Sequence, residues 1–505
     1  MNYRTRFLGG PASVRWMNTN WAPASCIQST TIRCLVGILA AAFLATDLEA
    51  QQSLLLDSGK AKSKRYNVVV LMADDLGYGD VGFNGNEKII TPHLDEMSRS
   101  GITFDHFYAA SCLCTPTRAS CLTGRNPFRQ GIFAAHTGAM RQAETTYAEL
   151  LKKEGYHTGF FGKWHLGWVE PDRIDSRGFY SPPWHHGFQE VFATKSAVPT
   201  WNPTRTPARW KGFGARKDGS WGGSVYVHNG APVTENLEGD DSRIMMDRVI
   251  PFIEQAVAEQ KPFLATVWFH APHDPVLAGP EYLARYPKLP EAQKHLYGCI
   301  TAMDEQIGRL QEFLKTNGLA QDTIVFFCSD NGPADSATKK GIASAGPFRG
   351  HKHQMWEGGI RVPSLMVWPG HLKENATCSF QAGTVDYLPT IMDLLGLPAL
   401  KNRPMDGISL KPVLQGKPTE RPFPLAFGYQ RLYKDTQLYA LIDGSYKICI
   451  PEVGDEMMLF DLENDPSESN DLTSSKPNIF KNMKADLEAA KKSWRASREG
   501  QDYTY

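Results

Sequence analysis

Asn67-Val68-Val69-Val70-Leu71-Met72-Ala73-Asp74-Asp75 is an unbroken apolar run of strand length that ends abruptly in two carboxylates. Its β-branched content and lack of alternation suit a strand buried on both faces, as in a parallel sheet. Three further runs behave alike: His157 to Phe161 leads into Lys163 and His165, Phe263 to Phe269 into His270 and His273, and Thr323 to Cys328 into Asp330 and Asn331. Helical patterns lie between them, over Pro92 to Ser100, Thr146 to Glu154, Ser242 to Gln260 and Lys294 to Asn317. Strands alternating with helices predict an α/β fold, a large, mostly parallel sheet sandwiched by helices. Ligands of such sheets bind beyond the carboxyl ends of the strands. Polar loop residues account for any one of these strand ends. Four ends delivering Asp, Lys, His and Asn to one edge describe an active site.

The 505 residues suffice for one large domain and a smaller one. We expect a catalytic domain over residues 66–400 and a smaller C-terminal α+β subdomain over 401–505. The latter rests on strand-like runs at Leu438 to Ile442 and Tyr446 to Ile450, a turn at Asn464-Asp465-Pro466, and an amphipathic helix from Ile479 to Arg498. Residues 180–240 carry Trp184, Trp201, Trp210 and Trp221 with little periodicity, which reads as a long loop insertion. Indole faces stack on sugar rings, so Trp201, with Asn202 and Arg205 to orient hydroxyls, is a candidate substrate contact.

With 54 basic and 54 acidic side chains, the chain offers no general attraction for nucleic acid or an anionic membrane. Arg33 and the apolar run Cys34 to Ala45, with Ala50 before Gln51, predict an export signal over residues 1–50, followed by a linker over 51–65. The run is too short to span a bilayer comfortably, so a secreted or periplasmic protein without stable membrane insertion is expected. Of nine cysteines, Cys26 and Cys34 fall in that segment, and the odd remainder means that at least one thiol lacks an intramolecular partner.

Cys114-Thr115-Pro116-Thr117-Arg118-Ala119-Ser120-Cys121-Leu122-Thr123-Gly124-Arg125 predicts a helix with Thr115 as N-cap, Pro116 in the first turn and Gly124 at the end. Arg118, four residues on, can fold back toward position 114. Taken alone, this stretch is equally a buried cysteine beside a helix cap. It resembles, however, the signature of the type I sulfatases, in which the cysteine of C-x-P-x-R is oxidised to formylglycine. Thr117 stands where serine is usual. The resemblance extends in order along residues 65 to 475, through the Asp74-Asp75 strand end, Gly162-Lys163-Trp164-His165-Leu166-Gly167, Ala271-Pro272-His273 and Ser329-Asp330-Asn331-Gly332-Pro333. It continues through Phe348-Arg349-Gly350-His351-Lys352, Glu357-Gly358-Gly359-Ile360-Arg361-Val362-Pro363 and Phe460-Asp461-Leu462. His351 and His353 flank the lysine where glycine is common.

The resemblance implies an alkaline phosphatase-like fold and hydrolysis of sulfate esters, and the tryptophan-rich insertion points to a sulfated carbohydrate as the substrate. It implies Ca2+ held by Asp74, Asp75, Asp330, Asn331 and residue 114, and a maturation enzyme that makes formylglycine from Cys114. All-oxygen ligands suit a hard cation. Lys163 and Lys352 would neutralise the sulfate. Asp330 would be the base for the attacking hydroxyl, His273 and Lys352 would assist the leaving alcohol, His165 would take the second proton, and Arg118 would hold the site together. His270 stays open between structure and substrate contact.

Overall fold

The computed structural model describes residues 53–56, 65–135, 137–170, 180–208, 210–430 and 436–503. The expected export segment and most of the linker lie outside them. The principal sheet has ten strands: β1 (Asn67–Ala73), β2 (Ile102–Phe104), β4 (His157–Lys163), β5 (Glu190–Thr194), β6 (Val227–His228), β7 (Ala231–Pro232), β8 (Phe263–Trp268), β9 (Thr323–Ser329), β10 (Ser364–Val367) and β11 (Ala376–Cys378). A short pair, β3 (Phe107–Tyr108) and β12 (Ala382–Gly383), stands apart. The order across the large sheet is β11-β2-β10-β9-β1-β8-β4-β5-β6-β7. Its central strands, β9, β1, β8, β4 and β5, are all parallel, and antiparallel pairings enter with β10 on one side and β6 and β7 on the other.

β1 lies at the centre, which is why its sequence is apolar throughout. Val68, Val70 and Met72 face one core with Leu122, Trp164 and Trp268. Val69, Leu71 and Ala73 face another, built with helices α4 (Asp241–Ala258) and α5 (Glu291–Thr316). Three shorter helices precede these: α1 (Pro92–Arg99), α2 (Cys114–Thr123) and α3 (Tyr147–Lys153). The side chains from Val68 to Met72 are fully buried, a contribution of about 10 kcal/mol relative to exposure.

Two local expectations are corrected. Residues 180–240 are not loop throughout, because Glu190–Thr194 joins the sheet parallel to β4, from Gly159 opposite Glu190 to Lys163 opposite Thr194. The Trp and Gly content around this short strand hid it. Helix α2 begins at Cys114 with Leu113 as N-cap, and Thr115 lies inside it without capping through its side chain. Gly124 does end the helix, at φ 67°, where a side chain would be strained.

The C-terminal part forms an antiparallel sheet of β13 (Leu425–Gln430), β14 (Gln437–Asp443), β15 (Tyr446–Cys449) and β16 (Met458–Asp461). One face packs on α7 (Pro477–Arg498) through Met483, Leu487 and Trp494. The other face packs on Tyr108, Leu113, Cys114, Trp356 and Ile360, so this sheet lies directly against the segment that starts α2. Between the two sheets in sequence lies α6 (Tyr387–Leu394). All seven cysteines of residues 53–505 are buried and none is in a disulfide. Among the described residues no helix is long and apolar enough to cross a membrane.

Candidate active site

Strand register brings the predicted groups together. β1 and β9 pair to Ala73 opposite Ser329, so Asp74 and Asp330 emerge side by side. The Asp75 amide donates to Asp330 Oδ1 at 3.1 Å, and the Asp330 amide donates to the Ala73 carbonyl at 3.1 Å. Lys163 closes β4, and its Nζ lies 2.5 Å from Asp74 Oδ2. Arg118 donates through Nε and Nη2 to Asp330 Oδ2 at 3.0 and 2.6 Å, and through Nη1 to the Lys163 carbonyl at 2.9 Å. It therefore ties helix α2 to two strand ends instead of bonding back along its own helix. Lys352 reaches both oxygens of Asp75, at 2.6 and 2.8 Å. His273 Nε2 stands 3.8 Å from Asp75 Oδ2, and Cys114 Sγ stands 3.3 Å from His165 Nδ1. Asp75 and His165 both hold positive φ, 66° and 57°. Such strained backbone collects at functional sites.

Three buried carboxylates, Asp74, Asp75 and Asp330, are matched by Lys163, Lys352 and Arg118. Burial works against ionisation of Asp74 and Asp75, but Lys163 beside the first and Lys352 beside the second, helped by His273, hold both below the usual range. Asp330 goes the other way. Burial and the neighbouring Asp74 push it up to about 7, against the pull of Arg118 and Lys163. Burial likewise raises the Cys114 thiol despite the two lysines, so it is not an activated thiolate.

Burial and then Lys163 lower His273 to about 4. Asp74 Oδ1 and Asn331 Oδ1 are buried without a hydrogen-bond partner. Ligand atoms of Asp74, Cys114 and Asp330 lie within 4.8 Å of one another, as do those of Asp74, Asp75 and His273. Oxygens left without a hydrogen bond in a low-dielectric interior, one of them only 3.5 Å from Arg118 Nη2, beside a carboxylate that resists ionising, are what a cation would satisfy. The residues present fit a hard, oxygen-seeking ion.

Residues 66–397 match the family model of sulfatases, and residues 348–493 match that of the N-sulphoglucosamine sulphohydrolase C-terminal region. The chain belongs to the sulfatase family. It is a sulfuric ester hydrolase. Among similar proteins is arylsulfatase G of Rattus norvegicus, 33% identical over 469 residues that cover 83% of this chain and 85% of that protein. Another is the N-acetylgalactosamine-6-sulfatase of Mus musculus, 32% identical over 400 residues, 75% of this chain and 71% of the relative. A crystal structure of Ps i-CgsB in complex with k-i-k-neocarrahexaose superposes with a TM-score of 0.74 at 28% identity, over 85% of this chain and 93% of the other.

Other residues of the sulfatase find different places. Trp201 is half-buried against the cluster of Ala278, Tyr282 and Ala302. Asn202 exchanges hydrogen bonds with Gly239, its amide donating to the Gly239 carbonyl at 2.8 Å and its Oδ1 accepting from the Gly239 amide at 2.7 Å. Arg205 is exposed and bridges to Ser220. The contacts of Asn202 and Arg205 lie within the loop, and Trp201 anchors it on residues beyond β8. Fully buried His270 pairs its Nδ1 with Asp241 at 2.8 Å and its Nε2 with Thr194 at 2.7 Å, and its carbonyl accepts from the His273 amide at 2.7 Å. It thus steadies the turn that carries His273.

Sequence reasoning missed a buried triad behind the site. Lys447 Nζ lies 2.9 Å from Glu357 Oε1 and 2.8 Å from Glu468 Oε1, and Glu468 Oε2 accepts from the Glu357 amide at 2.6 Å. Glu357 also accepts from Tyr108 at 3.0 Å. A lysine in an otherwise apolar strand (Tyr446 to Ile450) was the available signal.

Proposed function

We propose that the chain removes sulfate from a sulfated carbohydrate, using Cys114 after its conversion to formylglycine and a Ca2+ ion held by Asp74, Asp75, Asp330 and Asn331. The observation that carries this reading is the setting of Cys114. Its Sγ is buried 3.3 Å from His165 Nδ1 among two lysines and the carboxylates of Asp74 and Asp330, yet its thiol is held in the unreactive protonated form. Machinery of this density around an inert group makes sense when that group is chemically changed. The carbohydrate is supported by the names of the relatives and by the oligosaccharide bound in the similar structure.

The hydrated aldehyde supplies two hydroxyls, one to attack sulfur and one to expel the sulfate, while Ca2+ supplies positive charge. The chain's own groups do the rest. Lys163 Nζ and Lys352 Nζ, already beside Asp74 and Asp75, turn their charge to the sulfate oxygens. Asp330, pinned by Arg118, takes the proton of the attacking hydroxyl. His165 Nδ1 takes the proton of the second hydroxyl, from the side where it meets Sγ. His273 is neutral in the free site, and the negative charge of a bound ester raises its proton affinity so that Nε2 can protonate the leaving alcohol. Trp201, Asn202 and Arg205 keep a place in this reading as outer contacts to the sugar. Export, to the outside or the periplasm, is part of the same reading.

The test is mass spectrometry of the peptide containing residue 114 after production with a formylglycine-generating enzyme, with turnover of defined sulfated sugars measured on the same material. Loss of sulfur and gain of a hydrazide-reactive aldehyde are expected. Full activity with an unmodified thiol sinks the nucleophile. Cys114→Ala is expected to abolish turnover while the near-UV circular dichroism is unchanged.

A further inference from the structure

His353 follows Lys352 directly and is the third non-glycine residue at this site with positive φ, 73°, after Asp75 and His165. A glycine would adopt that conformation freely, whereas histidine is strained there, so the side chain is kept against a local penalty. Its backbone is fixed, since the amide donates at 3.0 Å to the carbonyl of Cys112, two residues before Cys114. The residue is exposed. Its ring lies 5.9 Å from that of Tyr429 on β13, and the charged groups that act on it are Lys352, Asp75, Asp335 and His351. It therefore stands on the rim of the site, between the sulfate-binding lysine and the C-terminal sheet.

His351, on the other side of Lys352, shows what a structural histidine looks like here. It is buried, its Nδ1 donates to the Lys352 carbonyl at 2.8 Å, and its Nε2 faces Asp335 at 3.4 Å. Among the described residues the His353 ring makes no hydrogen bond and no ion pair. The surrounding protein and then the Lys352 ammonium push its pKa down to about 4. At neutral pH it is an uncharged imidazole, with one nitrogen to donate and one to accept. That chemistry matches a sugar hydroxyl better than a second sulfate.

Resting on the carbohydrate reading above, we infer that His353 hydrogen-bonds a hydroxyl of the sugar ring that bears the sulfate ester and so selects which sulfated sugar is accepted. The strain is then the consequence of holding a side chain over the substrate.

His353→Gly tests this, because glycine suits φ 73° and the variant is expected to melt at the same temperature or higher. The readout is the ratio of kcat/KM for the best monosulfated sugar to that for a small aryl sulfate without a sugar. Loss of one neutral hydrogen bond is expected to lower this ratio about fivefold to tenfold. The unsubstituted enzyme, given the same sugar lacking the contacted hydroxyl, is expected to lose a similar factor, with no further loss in the variant. An unchanged ratio, or a variant that melts well below the parent, overturns the inference. Failure of the unsubstituted enzyme on every sulfated sugar, with the aryl sulfate still turned over, refutes the carbohydrate reading instead, so the two failures are distinct.

Discussion

Lys447→Met removes the cation that bridges two buried carboxylates. Lys447, Glu357 and Glu468 are all inaccessible to solvent. Glu357 keeps the Tyr108 hydroxyl at 3.0 Å and Arg361 Nη1 at 3.5 Å, but among the described residues the Glu468 side chain keeps only the Glu357 amide as a close donor. Breaking a buried ion pair from one side costs about 3–5 kcal/mol, because the remaining charge stays desolvated. The cost depends on pH. Burial pushes Glu468 up to about 7 even with Lys447 beside it, and without the lysine it rises further. A carboxyl raised in the fold contributes stability that is complete below its unfolded pKa and is lost as pH rises through the folded one.

At pH 5 Glu468 is protonated in both proteins, and the penalty reduces to the lost Lys447–Glu357 contact. At pH 8 it reaches its full size. Urea unfolding followed by tryptophan fluorescence at both pH values, with saturating Ca2+, measures the difference. Adding Glu468→Gln to Lys447→Met is expected to restore about 1–2 kcal/mol at pH 8, since the amide oxygen still accepts from Glu357 without a charge to bury. A penalty below about 0.5 kcal/mol at pH 8, or a larger one at pH 5 than at pH 8, refutes the reasoning.

Chelation is expected to abolish turnover and lower the melting temperature, with Ca2+ restoring both; rescue by Zn2+ alone would overturn the all-oxygen site. Asp80 is fully buried, with Oδ1 accepting from the Ser344 amide at 2.9 Å, Oδ2 unpaired and burial pushing it up to about 7. Its stability contribution is lost as pH rises toward and through 7, so Asp80→Asn, which does not titrate, is expected to gain on the parent by about 2–3 kcal/mol between pH 5 and pH 8 in paired denaturant titrations; a gap constant with pH counts against it. A Cβ at Gly332 would meet the Gly358 carbonyl oxygen at 1.9 Å, so Gly332→Ala must part the Glu357–Ile360 turn from the loop holding Asn331. A loss of more than tenfold in Ca2+ affinity by calorimetry is expected, and parental affinity would show that the turn does not brace the metal loop.

Much of the site was legible because its chemistry sits at strand ends. Asp74-Asp75, Lys163, His273 and Asp330-Asn331 each follow an apolar run, and a parallel sheet delivers all such ends to one edge. The strand Glu190–Thr194 was less legible, since its five residues stand among tryptophans and glycines that read as loop. Lys447 was invisible as a partner of Glu357, because 90 residues separate them and no local period links a lysine in one sheet to a turn in the other.

Amino-acid order alone determined the alternation of strand and helix, the polar edge of the sheet and the chemical identity of the groups collected there, because apolar runs and the residues that stop them are local properties of the chain. Tertiary packing alone decided the rest. It set the Arg118 guanidinium on Asp330, laid the C-terminal sheet against the start of α2, and held His353 at the rim in a conformation it would not choose by itself. Those outcomes depend on which surfaces meet, and a buried charge takes the partner that packing brings within 3 Å, not the one nearest along the chain.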